Sequence, residues 1–209
     1  MDDLKELLAN NRRWASALTK SDPGFFARLA RGQQPRYLWI GCADSRVPGD
    51  DIVDLPPGEL FVHRNIANLV IHTDMNCMSV LQYAVDVLQV PHIILCGHYR
   101  CGGIHAALER QSSGLIDTWL LAIKDLYQRH RKELEAIDDP EARLDRLCEL
   151  NVHQQVANIC ATTIVQDAWS RGQSLAVHGW IYNLADGLLE DLNLCITGPG
   201  AIEPAYRVE

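Results

Sequence analysis

The sequence predicts an α/β fold, with a mostly parallel central β-sheet flanked by helices and an N-terminal helical arm. Two observations predict it. Short apolar runs bounded by turn signals recur at 37–42, 59–64, 92–96, 174–178 and 192–197, and stretches with apolar residues three and four apart lie between them. Strands separated by helices need crossover connections, which join parallel neighbours and lay helices on the sheet faces. The 209 residues, 47% hydrophobic and 22% charged, suffice for one sizeable core and are read as a single domain, 1–209.

The arm is residues 1–35. Leu4, Leu7, Leu8, Trp14, Ala15 and Leu18 recur at helical spacing, Ser21-Asp22-Pro23 reads as a turn, and a short helix follows through Phe26, Leu29 and Ala30. Such an arm cannot bury both faces on itself, so it is expected to pack on a partner subunit. The run 37–42 (YLWIGC) reads as a buried strand, and Pro56-Pro57-Gly58 turns the chain into a second, 59–64 (ELFVHR). Residues 75–88 form a helix with Met78, Leu81, Val85 and Leu88 on one face, before a third strand at 92–96 (HIILC). Helical patterns cover 104–110 and 115 to about 135, and Asp138-Asp139-Pro140 starts a helix running to about 170. The fourth and fifth strands are 174–178 (SLAVH) and 192–197 (LNLCIT), the last short enough to return as an antiparallel edge. There is no internal repeat, low-complexity segment or linker.

Charge and composition exclude several classes. A net charge of −8 argues against coating nucleic acid or an anionic membrane, and no apolar run approaches the roughly 20 residues that span a bilayer. The first residues, MDDLKELLANN, are polar and acidic, unlike a secretory signal. The cysteines number seven, an odd count, and several lie in apolar runs, so a disulfide framework is not expected and a reducing, cytoplasmic setting fits better.

Cys42 and Cys101 differ from the other cysteines in their neighbours. Cys42 follows the first strand and His98 the third, and ligands of open α/β sheets collect at the carboxyl ends of strands. Gly97-His98-Tyr99-Arg100-Cys101-Gly102-Gly103 carries H-x-x-C, which lets an imidazole and a thiolate face one ion from a single turn. Cys42, His98 and Cys101 give two sulfurs and a nitrogen, a set suited to zinc, and three protein ligands leave a fourth position open. The first loop reads Cys42-Ala43-Asp44-Ser45-Arg46-Val47-Pro48. Alternation along an extended loop would put Cys42, Asp44 and Arg46 on one side. Asp44 could then reach the metal or its water, and Arg46 could hold the carboxylate in a bidentate fork.

These motifs make the chain resemble the β-carbonic anhydrase family. The matching pieces are C-A-D-S-R-V-P at 42–48, P-G-E-L-F-V-H-R-N-I-A-N at 57–68 and G-H-Y-R-C-G-G at 97–103, in the family's order, and the likeness extends over nearly the whole chain. The resemblance implies one zinc per chain on Cys42, His98 and Cys101. Asp44 would be the fourth ligand in a closed form and would move to Arg46 in an open one. The implied reaction is reversible hydration of CO2 to bicarbonate and a proton through zinc-bound hydroxide. Gln33, Phe61, Ile66, Tyr83 and the N–H of Gly102 match substrate-binding positions, with Tyr83 from the neighbouring subunit. The implied assembly is a homodimer or a dimer-of-dimers tetramer.

A bacterial subset of the family carries a bicarbonate pocket built from Trp, Arg and Tyr, and Trp39, Arg64 and Tyr182 match it. Arg100 stands where those bacterial relatives commonly carry a small residue. His63, His72, His105 and Tyr99 are candidates for carrying the released proton away. Other readings are a CS2 or COS hydrolase on the same scaffold and a non-catalytic zinc or bicarbonate-sensing protein. The Asp44–Arg46 pair speaks against the latter, since a purely structural site needs no movable carboxylate.

Overall fold

The computed structural model describes residues 2–109 and 112–208, and the chain divides into two compact units, Met1–Gln34 and Pro35–Glu209. The first unit is a helix pair, α1 (Asp2–Ser21) and α2 (Phe25–Leu29). Asp22 shapes the turn between them, accepting from the Gly24 N–H and pairing with Arg28. Trp14 meets Phe26 edge-on with ring centroids 5.7 Å apart, while Leu4, Leu7 and Leu8 stay exposed.

The second unit is built on five strands: β1 (Tyr37–Cys42), β2 (Leu60–Asn65), β3 (His92–His98), β4 (Ala176–Asn183) and β5 (Leu188–Ile196), in the order β2-β1-β3-β4-β5. The first four are parallel and β5 returns antiparallel as an edge, as the sequence predicts. β1 and β3 have neighbours on both sides, and their side chains are almost all buried, which is why they read as continuous apolar runs. From β1 the chain crosses to β2 on one side, and from β3 to β4 on the other. The sheet's switch point therefore lies between the carboxyl ends of β1 and β3, where open α/β sheets form a crevice.

Between the strands run α3 (Gly49–Ile52), α4 (Met75–Gln82), α5 (Gly102–Leu108), α6 (Leu115–Trp119), α7 (Leu121–Arg129), α8 (Arg131–Glu135), α9 (Pro140–Cys160) and α10 (Thr163–Ser170). One sheet face, through Leu38, Ile40, Ile93, Leu95 and Val177, packs on α4, α9 and α10. The opposite face holds a smaller cluster around Trp39, Ile94 and Cys96. Helix α9 comes close to the sheet because β3 and β4 carry glycine where it crosses. A Cβ on Gly97 or Gly179 would lie 2.6 Å from Val152 Cγ2 or from Leu194 Cδ1, respectively, the latter also 3.0 Å from Val152 Cγ1.

Several boundaries differ from the sequence pattern. The helix expected over 115–135 is three short ones, interrupted at Leu120 and His130, so that Leu120, Ile123, Leu126 and Leu134 all reach one core. The helix expected from 138 to 170 breaks at Thr162, whose hydroxyl donates to the Ile159 carbonyl and accepts from Val165 N–H, ending one helix and capping the next. Asp139 caps α9 with Pro140 behind it, as read. The turn after α4 is π-helical over Tyr83–Val87, where Leu88 N–H reaches back to Tyr83 O. The helix expected over 104–110 ends at Leu108, and residue 110 lies outside the described residues. Strand β4 runs five residues past His178, through Trp180 and Tyr182, which suit a pleated surface.

Candidate metal centre

Cys42 and His98 are the last residues of adjacent parallel strands, and Cys101 caps α5 one turn later. All three are buried, and their ligand atoms lie within 4.8 Å of one another. The two sulfurs are 3.9 Å apart. Two thiolates on one tetrahedral zinc, at Zn–S of about 2.3 Å, would stand about 3.8 Å apart.

The histidine's tautomer follows from its hydrogen bond. His98 Nδ1 lies 2.9 Å from the Tyr99 carbonyl, which can only accept, so Nδ1 carries the proton. Nε2 is then an unprotonated lone pair, and it is buried without a partner. That is the state in which imidazole binds a metal. The thiols constrain each other across a contact in which either sulfur can donate: sharing one proton draws the Cys42 pKa down, and the same contact together with burial pushes Cys101 up. Only a cation between them would let both be thiolates. Two sulfurs, one bare nitrogen and this charge demand fit zinc.

Asp44 stands beside the three. Arg46 grips its carboxylate through Nε to Oδ1 at 2.9 Å and Nη2 to Oδ2 at 2.7 Å, and the Arg46 backbone N–H adds a third bond at 3.0 Å. The guanidinium holds the Asp44 carboxyl well below the usual carboxylate range. Oδ2 is 3.9 Å from His98 Nε2, whereas two ligands of one tetrahedral zinc would be about 3.4 Å apart. The carboxylate thus belongs to the arginine while remaining next to the centre. The extended alternation expected for this loop is not what joins them. Val47 N–H bonds back to Asp44 O, and a tight turn folds Arg46 onto the aspartate.

The other candidate residues divide. Ile66 is near the centre, its Cγ2 2.8 Å from where a Gly103 Cβ would be, and Gly102 opens onto free space. Phe61 and Tyr83 pair with each other, ring centroids 5.8 Å apart. Phe61 precedes Asn65, the cross-strand partner of Cys42, by four residues, about 13 Å along the strand. Gln33 is exposed and belongs to the first unit. Trp39, Arg64 and Tyr182 share one sheet face by register: Trp39 is fully buried with its indole N–H unpartnered, and Tyr182 packs in the same cluster. Arg64 donates to the carbonyls of Cys42 at 2.8 Å and Asp44 at 2.5 Å, a role the sequence did not suggest.

Of the proton-relay candidates, His63 is buried beside Asn65, His72 donates to the Asn158 carbonyl, and Tyr99 gives its hydroxyl to Glu149. His105 is exposed and lines a cavity of about 320 Å³ together with Cys101 and Gly102. A second group, His63, Asp74 and Cys77, also lies within 4.8 Å. Asp74 is engaged in capping α4, and burial pushes the Cys77 thiol up to about 12, so that set lacks the charge pattern of the first.

Comparison with known proteins agrees with this geometry. The sequence profile of the carbonic anhydrase family matches residues 37–189. The carbonic anhydrase of Emericella nidulans is 48% identical over 92% of this chain and 85% of its own length. Among solved structures, a tetrameric β-carbonic anhydrase from Sordaria macrospora is 40% identical with a TM-score of 0.90, covering 94% of this chain and 100% of its own. A Coccomyxa β-carbonic anhydrase in complex with acetazolamide is 42% identical with a TM-score of 0.91, covering 95% and 90%. The chain belongs to the carbonic anhydrase family, in its β class. It is an enzyme, a carbonic anhydrase whose cofactor is zinc, and Cys42, His98 and Cys101 are the group able to hold the metal. The Sordaria macrospora enzyme comes from a filamentous ascomycete. The narrower likeness to a bacterial subset rests on Trp39, Arg64 and Tyr182 alone. Among the described residues no helix is long and apolar enough to cross a membrane.

Proposed function

We propose that the chain hydrates CO2 to bicarbonate at one zinc held by Cys42, His98 and Cys101, with Asp44 and Arg46 orienting the attacking water, and that bicarbonate binding beside the site inhibits it. The observation that carries the catalytic part is the convergence of two sulfurs and a bare Nε2 next to a carboxylate locked onto an arginine. Zinc bound there would bring the pKa of its water down to about 7. Asp44, ionised and acceptor-only, takes the hydrogen bond of the nucleophile's O–H and so aims an oxygen lone pair at the carbon. Arg46 keeps Asp44 off the metal. Ile66 supplies apolar surface for CO2, and the Gly102 N–H faces the substrate oxygen. Phe61 and Tyr83 sit together far along the strand from Cys42, so as a pair they serve the site of another copy. Stopped-flow CO2 hydration should be fast in the zinc-loaded enzyme and absent in His98→Ala. Equal rates would refute the assignment.

Inhibition follows from Arg64. Its guanidinium ties the backbone of both Cys42 and Asp44, and the unpartnered Trp39 N–H lies on the same sheet face. A bicarbonate that engages Trp39, Arg64 and Tyr182 draws Arg64 from these carbonyls, loosens the turn that pairs Asp44 with Arg46, and favours Asp44 on zinc. The ligand shifts the balance by its differential affinity for the two forms. Added bicarbonate should lower wild-type activity, with a pH–rate slope steeper than one proton. Arg64→Ala and the milder Trp39→Phe should lose the inhibition yet keep zinc. Unchanged sensitivity in both variants would exclude the pocket.

Assembly as a dimer or dimer of dimers is supported by the exposed Leu4, Leu7 and Leu8 of α1, which suit a partner subunit, and by the tetrameric relative. Sedimentation of a variant with all three changed to Ser should show smaller species; an unchanged assembly would refute the arm's role. The cytoplasm, a reducing compartment, fits free thiols at every cysteine, one of them exposed. A fluorescent fusion found elsewhere in the cell would contradict that.

A further inference from the structure

The loop between His98 and Cys101 is gripped from outside the metal centre. Tyr99 is held three ways: its N–H donates to Tyr182 O at 3.0 Å, its carbonyl accepts from His98 Nδ1 at 2.9 Å, and its hydroxyl donates to Glu149 Oε1 at 2.9 Å. Glu149 lies on α9 and is fixed in turn by Arg146, whose Nη1 is 2.7 Å from Oε2 and whose Nε is 2.7 Å from Glu133 Oε1. Four residues earlier on α9, Asp145 faces the Arg100 N–H. The Tyr99 carbonyl and the Arg100 N–H belong to one rigid peptide plane. Asp145 and Glu149 stand on the same helix face, with Cys148 of that face packed in the cluster of Cys101. The turn needs holding, because Arg100 sits at φ 56°, a left-handed conformation that an arginine adopts at some cost.

We propose that Glu149, through Tyr99, is a positioning residue for the zinc-binding imidazole: the Tyr99–Glu149 bond aims the carbonyl that fixes the His98 tautomer and ring. The inference rests on His98 being a zinc ligand. Partners of this kind orient a metal-binding histidine and raise its basicity, and losing one typically costs 10–100-fold in metal affinity. Glu149 acts one bond further out, so about a tenfold effect is expected.

The test uses zinc-loaded protein and follows zinc transfer to a chromophoric chelator, with the visible absorption of the cobalt-substituted form as a second readout. Tyr99→Phe removes one hydroxyl and should fold. It should speed zinc release about tenfold and shift the cobalt bands. Glu149→Ala should do the same, and the double variant should be no faster than either single one, since both remove one interaction. Glu149→Gln still offers an oxygen to Tyr99 and should restore most of the wild-type rate. A lowered melting temperature with unchanged zinc release and cobalt spectrum in Tyr99→Phe would overturn the proposal, as would additive effects in the double variant. If His98→Ala keeps zinc as tightly as wild type, the site assignment itself fails and takes the inference with it. Normal zinc dependence on His98 with no effect of Tyr99→Phe sinks the inference alone.

Discussion

Asp44 is within reach of both the metal centre and Arg46, which holds it by three hydrogen bonds, two from the guanidinium and one from the backbone N–H. An amide at this position offers one acceptor where the fork needs two, and its NH2 faces a donor. Asp44→Asn is therefore expected to keep zinc but lose at least about 100-fold in CO2 hydration rate, the usual scale for a positioned acid–base group. Arg46→Ala should lose activity as well, because nothing then draws the carboxylate from the metal. Stopped-flow rates within a few-fold of wild type in both would show that the pair only ties the loop. The participants of this pair were legible in C-x-D-x-R, but the way they meet was not. Residue alternation suggested an extended loop; the turn closed by the Val47–Asp44 backbone bond is a local choice that the motif's spacing leaves open.

Helix α9 carries much of the site's support, and little of it could be read from sequence. Its inward-facing amides, Asn151 and Gln155 buried and Asn158 half-buried, form a ladder. Asn151 Nδ2 donates to Ala67 O at 2.9 Å and Gln155 Nε2 to Asn151 Oδ1 at 2.9 Å. Gln155 Oε1 accepts from Val70 N–H at 2.9 Å, and Asn158 Nδ2 donates to Val70 O at 2.9 Å. These bonds pin the segment after β2, where Ala67 and Asn68 take positive φ and Ile66 borders the metal centre. The helical period of α9 was plain, yet an apolar stripe says nothing about which polar side chains point inward with it. Asn151→Ala leaves a buried carbonyl and a buried amide without partners, so it should cost about 1–3 kcal/mol of unfolding free energy. Chemical denaturation measures this; a loss below a few tenths of a kcal/mol would mean that the segment is held by packing alone.

At the scale of the molecule, the strand order matters most. Cys42 and His98 are far apart in sequence, and they meet because the chain changes direction between β1 and β3. The rule that ligands gather at strand ends foresaw this juxtaposition. The sequence did not reveal the length of β4, the breaks in the helical stretches or the role of Arg64, since each depends on tertiary partners. The fold also perturbs three histidines, of which His63 is buried, His178 half-buried and His153 exposed. Partial loss of solvent around the ring lowers the pKa of His63, His153 and His178, with His92 adding to the shift at His178 and Asp191 opposing it. Below pH 6.5 the unfolded chain then binds more protons than the folded one, so stability should fall as pH drops from 6.5 through the lower folded values. Denaturation midpoints at pH 7.5 and 5.5 check this, and His178→Gln should narrow the gap between them; a gap that stays the same would assign the loss to other groups. The central claim is that Cys42, His98 and Cys101 together hold one catalytic zinc. Its most direct measurement is metal content per chain by plasma emission, alongside CO2 hydration, for wild type and Cys101→Ala. About one zinc in an active wild type, with both metal and activity lost in the variant, is the predicted result; full zinc occupancy in Cys101→Ala would contradict it.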